Sequence, residues 1–109
     1  MTDLTKQKCE ACTIDAPLVD KKRFTELLKD LDGWEIIYED INILSKTYSF
    51  DNYEDSVKFA TDIAKLAEDE DHHPSILIEW GLVRVQWWSH KIKGLHMNDF
   101  ICAAKTETP

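Results

Sequence analysis

One long helical pattern, set between two pairs of strand patterns, constrains the fold of this chain more than any other feature. The helix is predicted to begin at Asp51, because residues 51–54 resemble a capping box with Glu54 at the third helical position. It is predicted to end near Asp71, because Pro74 cannot continue a helix and biases the residue before it away from helical dihedrals. Its predicted buried stripe consists of Tyr53, Val57, Ala60, Ile63, Ala64 and Ala67.

The segments on both sides of this helix have the patterns of β-hairpins. Residues 34–38 and 41–50 are rich in aromatic and β-branched side chains, and a polar turn separates them. Residues 75–80 and 83–90 form a second such pair around a turn that contains Gly81. In this second pair two tryptophans alternate with apolar residues and are predicted to lie in the core, namely Trp80 and Trp87.

A helix is expected at each end of this arrangement. The first is predicted over residues 20–32, capped by Asp20 and stopped by Gly33, and the last over residues 97–104. The resulting order is α-β-β-α-β-β-α. It predicts an α+β fold in which a four-stranded antiparallel sheet carries helices on one face.

Length and charge limit the possible functions. The 109 residues fit a single domain, predicted over residues 18–109, with residues 1–17 as a flexible N-terminal arm outside the core. The net charge of −8 argues against direct binding to nucleic acid or to an anionic membrane. No apolar run reaches the about 18 residues of a membrane span, and the polar N-terminus lacks a secretory signal. A cytoplasmic protein is therefore expected, and its modest core makes a homo-oligomer a natural expectation.

The cysteine content points to reduced thiols. An odd set of three, Cys9, Cys12 and Cys102, is typical of a chain from a reducing compartment. The Cys9-x-x-Cys12 spacing resembles half of a zinc site or a redox pair. No second such pair follows, so incidental thiols in the arm are the favoured interpretation.

All four histidines fall between Glu68 and Asp99, which singles out this stretch for proton chemistry. His72 and His73 follow the C-terminus of the long helix, whose partial negative charge favours imidazolium. Glu68 lies one helical turn before His72, so these two side chains are predicted to meet. Asp71 is adjacent in sequence. Carboxylates beside imidazoles are the local chemistry of a general acid or base.

His90 is predicted to join this pair. If the third and fourth strands pair, the end of one lies beside the start of the other, so His72, His73 and His90 converge at one edge of the sheet. Asp99, in the first turn of the last helix, returns towards the same end. These side chains would form a pocket for a flat, polar, aromatic ligand. His96 is interpreted as an ordinary surface or core histidine.

A metal site is the sharpest alternative interpretation of the histidine cluster. Three histidines can hold zinc. However, adjacent histidines point in different directions, and the chain has no His-x-x-x-His on a helix. Acid–base chemistry without a metal is therefore favoured.

These residues closely resemble the signature of the pterin-4a-carbinolamine dehydratase family. Gly33-Trp34 and the order of elements match as well, and the resemblance covers about residues 18–105, with the arm similar to that of bacterial members. The matching signature reads Glu68-x3-His72-His73-Pro74-x5-Trp80-x9-His90-x8-Asp99.

The resemblance implies a reaction. Members dehydrate 4a-hydroxytetrahydrobiopterin, which remains after an aromatic amino acid hydroxylase has used its tetrahydropterin, to quinonoid dihydropterin and water. The reaction recycles the pterin and needs neither a metal nor an organic cofactor, because imidazoles can transfer both protons. Which histidine handles which proton is left open.

The resemblance also implies roles for individual residues. His72 and His90 are the acid–base candidates, approaching the pterin from different sides, and His73 positions the ring or shares that work. The implied orienting or binding residues are Glu68 and Asp71 beside the imidazoles, Trp34 beside the pterin, and Asp99, for which a structural role remains open.

A rival function comes from another class of activity. Some animal members of the family act as dimerisation cofactors for a homeodomain transcription factor, which would make this chain a protein-binding module. The complete histidine set favours the enzyme, because a scaffold does not need it. The family also implies a homodimer or homotetramer.

Overall fold

The computed structural model describes Leu4 and residues 17–109, and the predicted order of elements is confirmed within them. Most of the predicted arm, with Cys9 and Cys12, lies outside the described residues, although Leu4 itself is buried in the core. A 3-10 turn, Lys21–Arg23, leads into the first helix. The elements are α1 (Phe24–Leu28), β1 (Glu35–Glu39), β2 (Ile41–Ser49), α2 (Tyr53–Glu70), β3 (Ser75–Glu79), β4 (Leu82–Trp87) and α3 (Met97–Thr106).

The four strands form one antiparallel sheet in the order β1-β2-β4-β3. Two hairpins are therefore joined by the pairing of β2 with β4, and β1 and β3 are the edges. Ser75, at the start of β3, pairs with Gln86, near the end of β4. This register brings the exit of α2 next to the segment that follows β4.

The core lies between one face of the sheet and the helices. Val83, Val85 and Trp87 alternate along β4 and are fully buried on this face. Small or compact residues of α2 pack against them, and Phe100 of α3 belongs to the same cluster. Burying each large apolar side chain contributes about 1.5–3 kcal/mol. The Trp87 indole also donates a hydrogen bond of 3.0 Å to Thr106, which fixes the end of α3 against β4.

The start of α2 differs from the prediction. The cap is Asn52, not Asp51: its side chain accepts a 2.7 Å hydrogen bond from the backbone N–H of Asp55. Asn52 has extended dihedrals, as an N-cap residue requires, so the helix begins at Tyr53. Asp55 thus takes the place in the first turn that had been predicted for Glu54.

The buried stripe of α2 is also displaced from the predicted one. Ala60, Ile63 and Ala67 are buried as expected, whereas Tyr53 and Val57 are 51% and 37% exposed. Ala64 is exposed as well. Ser56 replaces them in the core because its hydroxyl donates a hydrogen bond to the carbonyl of Asn52, which makes burial of the polar group tolerable.

Three further predictions needed correction. Trp80 is 71% exposed, because β3 ends at Glu79 and Trp80 lies in the turn, whereas the prediction for Trp87 was right. The first helix is shorter than the predicted 20–32. The fourth strand ends at Trp87, so His90 lies beyond it.

In the described part of the chain, no helix is both long and apolar enough to cross a bilayer.

Candidate active site

The exit of α2 separates the two adjacent histidines. Asp71, the C-cap, has left-handed dihedrals (φ 49°, ψ 43°), and the backbone N–H of His72 donates to the carbonyl of Ala67. The chain therefore turns sharply at Asp71, as helices commonly do at a left-handed terminal residue. His72 then points inwards and is 4% exposed, while the side chain of His73 is 56% exposed.

His72 is held on two sides in the interior. Its Nε2 lies 2.5 Å from Oδ1 of Asp99, which is fully buried. Its ring stacks on the indole of Trp87, with centroids 5.7 Å apart and planes 7° from parallel. A buried imidazole with both a carboxylate partner and a flat aromatic neighbour has a fixed orientation.

The predicted meeting of Glu68 with His72 is wrong. Glu68 pairs instead with His73, at 3.1 Å, because the left-handed turn at Asp71 carries His72 away from the helix face. Both members of the Glu68–His73 pair are largely exposed, at 79% and 56%, so the pair adds little stability. Its effect is to orient the His73 ring.

Asp99 combines the structural role that the sequence left open with a contact to a histidine. Its Oδ2 accepts hydrogen bonds from the Ser89 hydroxyl at 2.7 Å and from the backbone N–H of His96 at 2.8 Å. Its other oxygen faces His72. Asp99 therefore ties the start of α3 to the segment after β4 and to the exit of α2.

His96 acts as the N-cap of α3. Its Nδ1 accepts a 3.0 Å hydrogen bond from the backbone N–H of Asn98, and with Asp99 it forms a capping box. The ring is 3% exposed. His96 is therefore a core histidine, in agreement with its interpretation from the sequence.

His90 reaches the same region from the loop after β4. The neighbouring Ser89 and Gly94 form an isolated antiparallel bridge, which gives this loop a defined shape. His90 itself is exposed, and its ring lies beside that of Trp88, with the two centroids 4.5 Å apart and the planes at 40° to each other. The indole thus supports one side of an otherwise open imidazole.

The three histidines surround one pocket of about 230 Å³, so their predicted convergence is confirmed. Three imidazoles, one carboxylate and one ammonium group offer several hydrogen-bond donors and acceptors, and imidazole is the side-chain type suited to proton transfer near neutral pH. A pocket with this lining can deliver a proton at one point of a bound ligand and remove one at another. The residues that line it are Asp71, His72, His73, His90 and Lys91.

Trp34 is not brought to this pocket. It is 6% exposed, and its indole donates a 3.0 Å hydrogen bond to the carboxylate of Glu107. The same carboxylate accepts a 2.5 Å hydrogen bond from the ammonium group of Lys46. Its ring meets Tyr48 edge-on at 6.5 Å. Burial, followed by the charge of Glu107, raises the pKa of Tyr48, so this phenol stays neutral. Trp34 thus helps to anchor the residues after α3.

Several residues of the site were missed from the sequence. Trp88 could have been found, because the predicted strand over residues 83–90 puts it on the same face as His90, although β4 itself ends at Trp87. Lys91 carries no signal beyond its position next to His90, and a lone serine such as Ser89 carries none. Among the described residues, no three histidine, cysteine or acidic side chains lie close enough together to hold a metal ion.

The fold and the pocket together define a small α+β protein with a histidine-lined site. A family model described as pterin 4 alpha carbinolamine dehydratase matches residues 17–108. The chain therefore belongs to this family, and the resemblance seen in the sequence is confirmed.

Curated relatives match over nearly their whole length. A protein of Vibrio vulnificus (strain YJ016) named "Putative pterin-4-alpha-carbinolamine dehydratase" is 53% identical over 105 residues, which cover 95% of this chain and 96% of that protein. A protein of Photobacterium profundum with the same name is 50% identical over 108 residues, covering 98% of this chain and 96% of that protein.

Two solved structures share the fold. The crystal structure of a transcriptional coactivator/pterin dehydratase from Brucella melitensis has a TM-score of 0.77 at 24% identity, covering 84% of this chain and 96% of that one. A pterin dehydratase-like protein described as a RuBisCO assembly factor in the alpha-carboxysome has a TM-score of 0.59 at 19% identity, covering 72% and 89%. At these identities the likeness concerns the fold alone.

Proposed function

We propose that this protein dehydrates 4a-hydroxytetrahydrobiopterin to quinonoid dihydropterin by histidine acid–base catalysis. The observation that carries the proposal is the pocket lined by His72, His73 and His90 in a chain of the pterin carbinolamine dehydratase family. The reaction serves to recycle the pterin cofactor of an aromatic amino acid hydroxylase. It is a hydro-lyase reaction and proceeds without a metal or an organic cofactor.

The chemistry needs two proton transfers. One acid protonates the hydroxyl on C4a, the C4a–O bond breaks and water leaves. One base then removes the proton from N5, and the electrons of that N–H bond form the C4a=N5 double bond. Groups that are half-protonated near neutral pH serve both steps, and imidazole is the side chain with that property.

The geometry supports different roles for the three histidines in the reaction. His72 is buried and fixed, while His90 is open on one side and backed by an aromatic ring. They line the pocket from different elements, one at the exit of α2 and one after β4. His72 and His90 are therefore assigned the two proton transfers, and His73, oriented by Glu68, positions the ring. Asp71 adds a carboxylate that can accept a hydrogen bond from the pterin.

Single substitutions of the histidines test this proposal. Freshly prepared 4a-hydroxytetrahydropterin is mixed with the protein, and its absorbance decay is compared with the uncatalysed decay. His72→Ala and His90→Ala are each expected to lower kcat by about 10²- to 10⁴-fold, the usual contribution of a general acid or base. His73→Ala is expected to affect KM more than kcat.

His96 offers a matched control, because it is the histidine of this chain that caps a helix instead of lining the pocket. His96→Ser retains a capping side chain and is expected to keep most of the activity. Dialysis against a chelator is expected to leave the rate unchanged. If the wild-type protein does not accelerate the decay, the proposed function is wrong. If all three pocket variants keep the full rate, the assignment of the site is wrong.

Quaternary structure and location complete the proposal. The protein is proposed to act in the cytoplasm as a homodimer or homotetramer. The alternative is a protein-binding role without essential catalysis, and the two solved neighbours carry both a coactivator and an assembly-factor description. A fold shared by such different proteins does not discriminate between these roles. The histidine-lined pocket favours the enzyme.

A further inference from the structure

We propose that Ser89 and Trp87 are positioning residues for His72: together with Asp99 they fix the imidazole so that Nδ1 is the nitrogen that serves the pocket. This inference rests on the proposed function in so far as His72 is taken to transfer a proton. The arrangement that carries it is a buried chain of contacts from Ser89 through Asp99 to His72, closed on one side by Trp87.

The Asp99 carboxylate is held in place by hydrogen bonds at one of its two oxygens. Its Oδ2 receives two donors, the Ser89 hydroxyl at 2.7 Å and the His96 backbone N–H at 2.8 Å. An oxygen that accepts two hydrogen bonds in a buried place has a strongly restricted position. The other oxygen, Oδ1, is thereby directed at His72. Without the Ser89 hydroxyl, one of the two groups that hold the carboxylate is lost.

Ser89 is itself well placed for this task. It is fully buried, and its backbone forms the bridge to Gly94 through N–H to carbonyl bonds of 2.8 and 3.4 Å. The hydroxyl is therefore presented by a rigid backbone. A buried hydroxyl held in this way costs little side-chain entropy when it binds the carboxylate.

The carboxylate partner of His72 determines which of its ring nitrogens carries the hydrogen. A carboxylate that already accepts two hydrogen bonds acts as an acceptor again, so Nε2 of His72 carries a hydrogen and donates it across 2.5 Å to Oδ1. Nδ1 is then the ring nitrogen left for the pocket that His72 lines. In neutral imidazole this nitrogen is a base, and in imidazolium it is an acid. The same orientation thus serves either proton transfer.

The plane of the His72 ring is set by its contact with Trp87. The Trp87 indole lies almost parallel to the imidazole, at 7° and 5.7 Å between centroids, and is itself held by its hydrogen bond to Thr106. A hydrogen bond to Nε2 alone would leave the ring free to rotate about that bond. The stacked indole removes this freedom. Two independent restraints therefore define where Nδ1 points.

Substitution of Ser89 tests the proposal with two kinds of measurement. The ¹⁵N chemical shifts of the His72 ring report which nitrogen carries the hydrogen, and the dehydratase assay reports kcat and KM. In the wild-type protein the shifts of the neutral form of the ring are expected to show the hydrogen on Nε2. In Ser89→Ala we expect mixed tautomers and a loss in kcat of about 10- to 100-fold, the range found for outer partners of metal-bound histidines, with KM changed less than about threefold.

Two further variants separate positioning from stability. Ser89→Thr keeps the hydroxyl and is expected to restore the wild-type tautomer and most of kcat. Ser45 is another buried serine, on β2, whose hydroxyl accepts a hydrogen bond from Gln86 at 3.3 Å. Ser45→Ala also loses a buried hydroxyl and is expected to leave both the His72 signals and kcat unchanged.

The outcomes are distinct. Wild-type ¹⁵N signals for His72 in Ser89→Ala would overturn the proposal, as would a loss in kcat no larger than that of Ser45→Ala. If the wild-type protein proves inactive, the proposed function fails. The tautomer measurement still decides whether Ser89 fixes the imidazole, because it requires no turnover.

Discussion

Asp71 is the residue whose conformation determines where the two adjacent histidines point. Its left-handed dihedrals cost a residue with a Cβ about 1–2 kcal/mol, although aspartate tolerates them better than most. Its carboxylate also lies at the C-terminus of α2, where the partial negative charge of the helix is unfavourable. Glycine would meet neither penalty. An acid at this position of the pocket lining therefore supports the binding role proposed for Asp71.

We expect Asp71→Gly to stabilise the protein by about 1 kcal/mol and to lower kcat/KM for the pterin. The gain arises from relief of the left-handed backbone and of the charge at the helix end, and the loss arises from removal of a pocket carboxylate. Urea unfolding and the dehydratase assay measure the two effects. Asp71→Asn is the matched control, because it tolerates the same backbone and loses only the charge. An Asp71→Gly variant that is less stable than the wild type would contradict the argument.

At the same scale, the sequence predicts the members of the site better than their partners. The histidines and acids stand out because they are clustered along the chain. The pairing of His72 with Asp99 spans 27 residues and depends on how α3 returns to the sheet. Glu68 satisfied the spacing rule for a contact with His72, but that rule holds only while the helix continues. The turn at Asp71 ends the helix first, and a single left-handed residue has no reliable signal in one sequence.

Among the elements, α2 shows which details a sequence pattern leaves undetermined. The existence, type and approximate length of the helix were predicted, because its pattern is long and Pro74 limits how far it can continue. Its cap was predicted one residue too early, since Asp51 and Asn52 are both good cap residues. The stripe was misplaced because Ser56, a polar residue, is buried through a hydrogen bond that apolar periodicity does not reveal.

The identity of the cap is directly testable. Asn52→Ala is expected to lower the free energy of unfolding by about 1 kcal/mol, because the backbone N–H of Asp55 loses its acceptor. Asp51→Ala, the matched control next to it, is expected to change stability by less than about half of that. Urea denaturation followed by circular dichroism measures both. Equal losses in the two variants would mean that the cap is shared between the two residues.

For the whole molecule, the sheet order explains why separated segments form one site. The order β1-β2-β4-β3 makes β4 a central strand and pairs it with β3, so the exit of α2 and the loop after β4 lie side by side. The hairpins and the α+β class were predictable from local patterns. The pairing of β2 with β4 was not predicted, because local patterns do not reveal which strands of two hairpins become neighbours.

The same order leaves β3 as an edge strand whose side chains and following turn are unusually apolar. Leu77 and Ile78 are each 37% exposed, and Trp80 is 71% exposed. An edge strand with free backbone groups and exposed apolar side chains is suited to pairing with another chain. A second copy of this chain fits the proposed homo-oligomer, and a small core gains most from such burial.

We therefore expect the protein to be a dimer or tetramer whose interface includes Trp80. Trp80→Lys is expected to shift the mass in solution towards the 12.7 kDa of one chain, because a lysine cannot replace the buried indole at an interface without desolvating its charge. Tyr38→Lys is the matched control, since Tyr38 is a similarly exposed aromatic, at 73%, on the opposite edge strand β1. Sedimentation equilibrium measures the mass of each variant. A monomeric wild type would refute the oligomer, and dissociation by Tyr38→Lys alone would move the interface to β1.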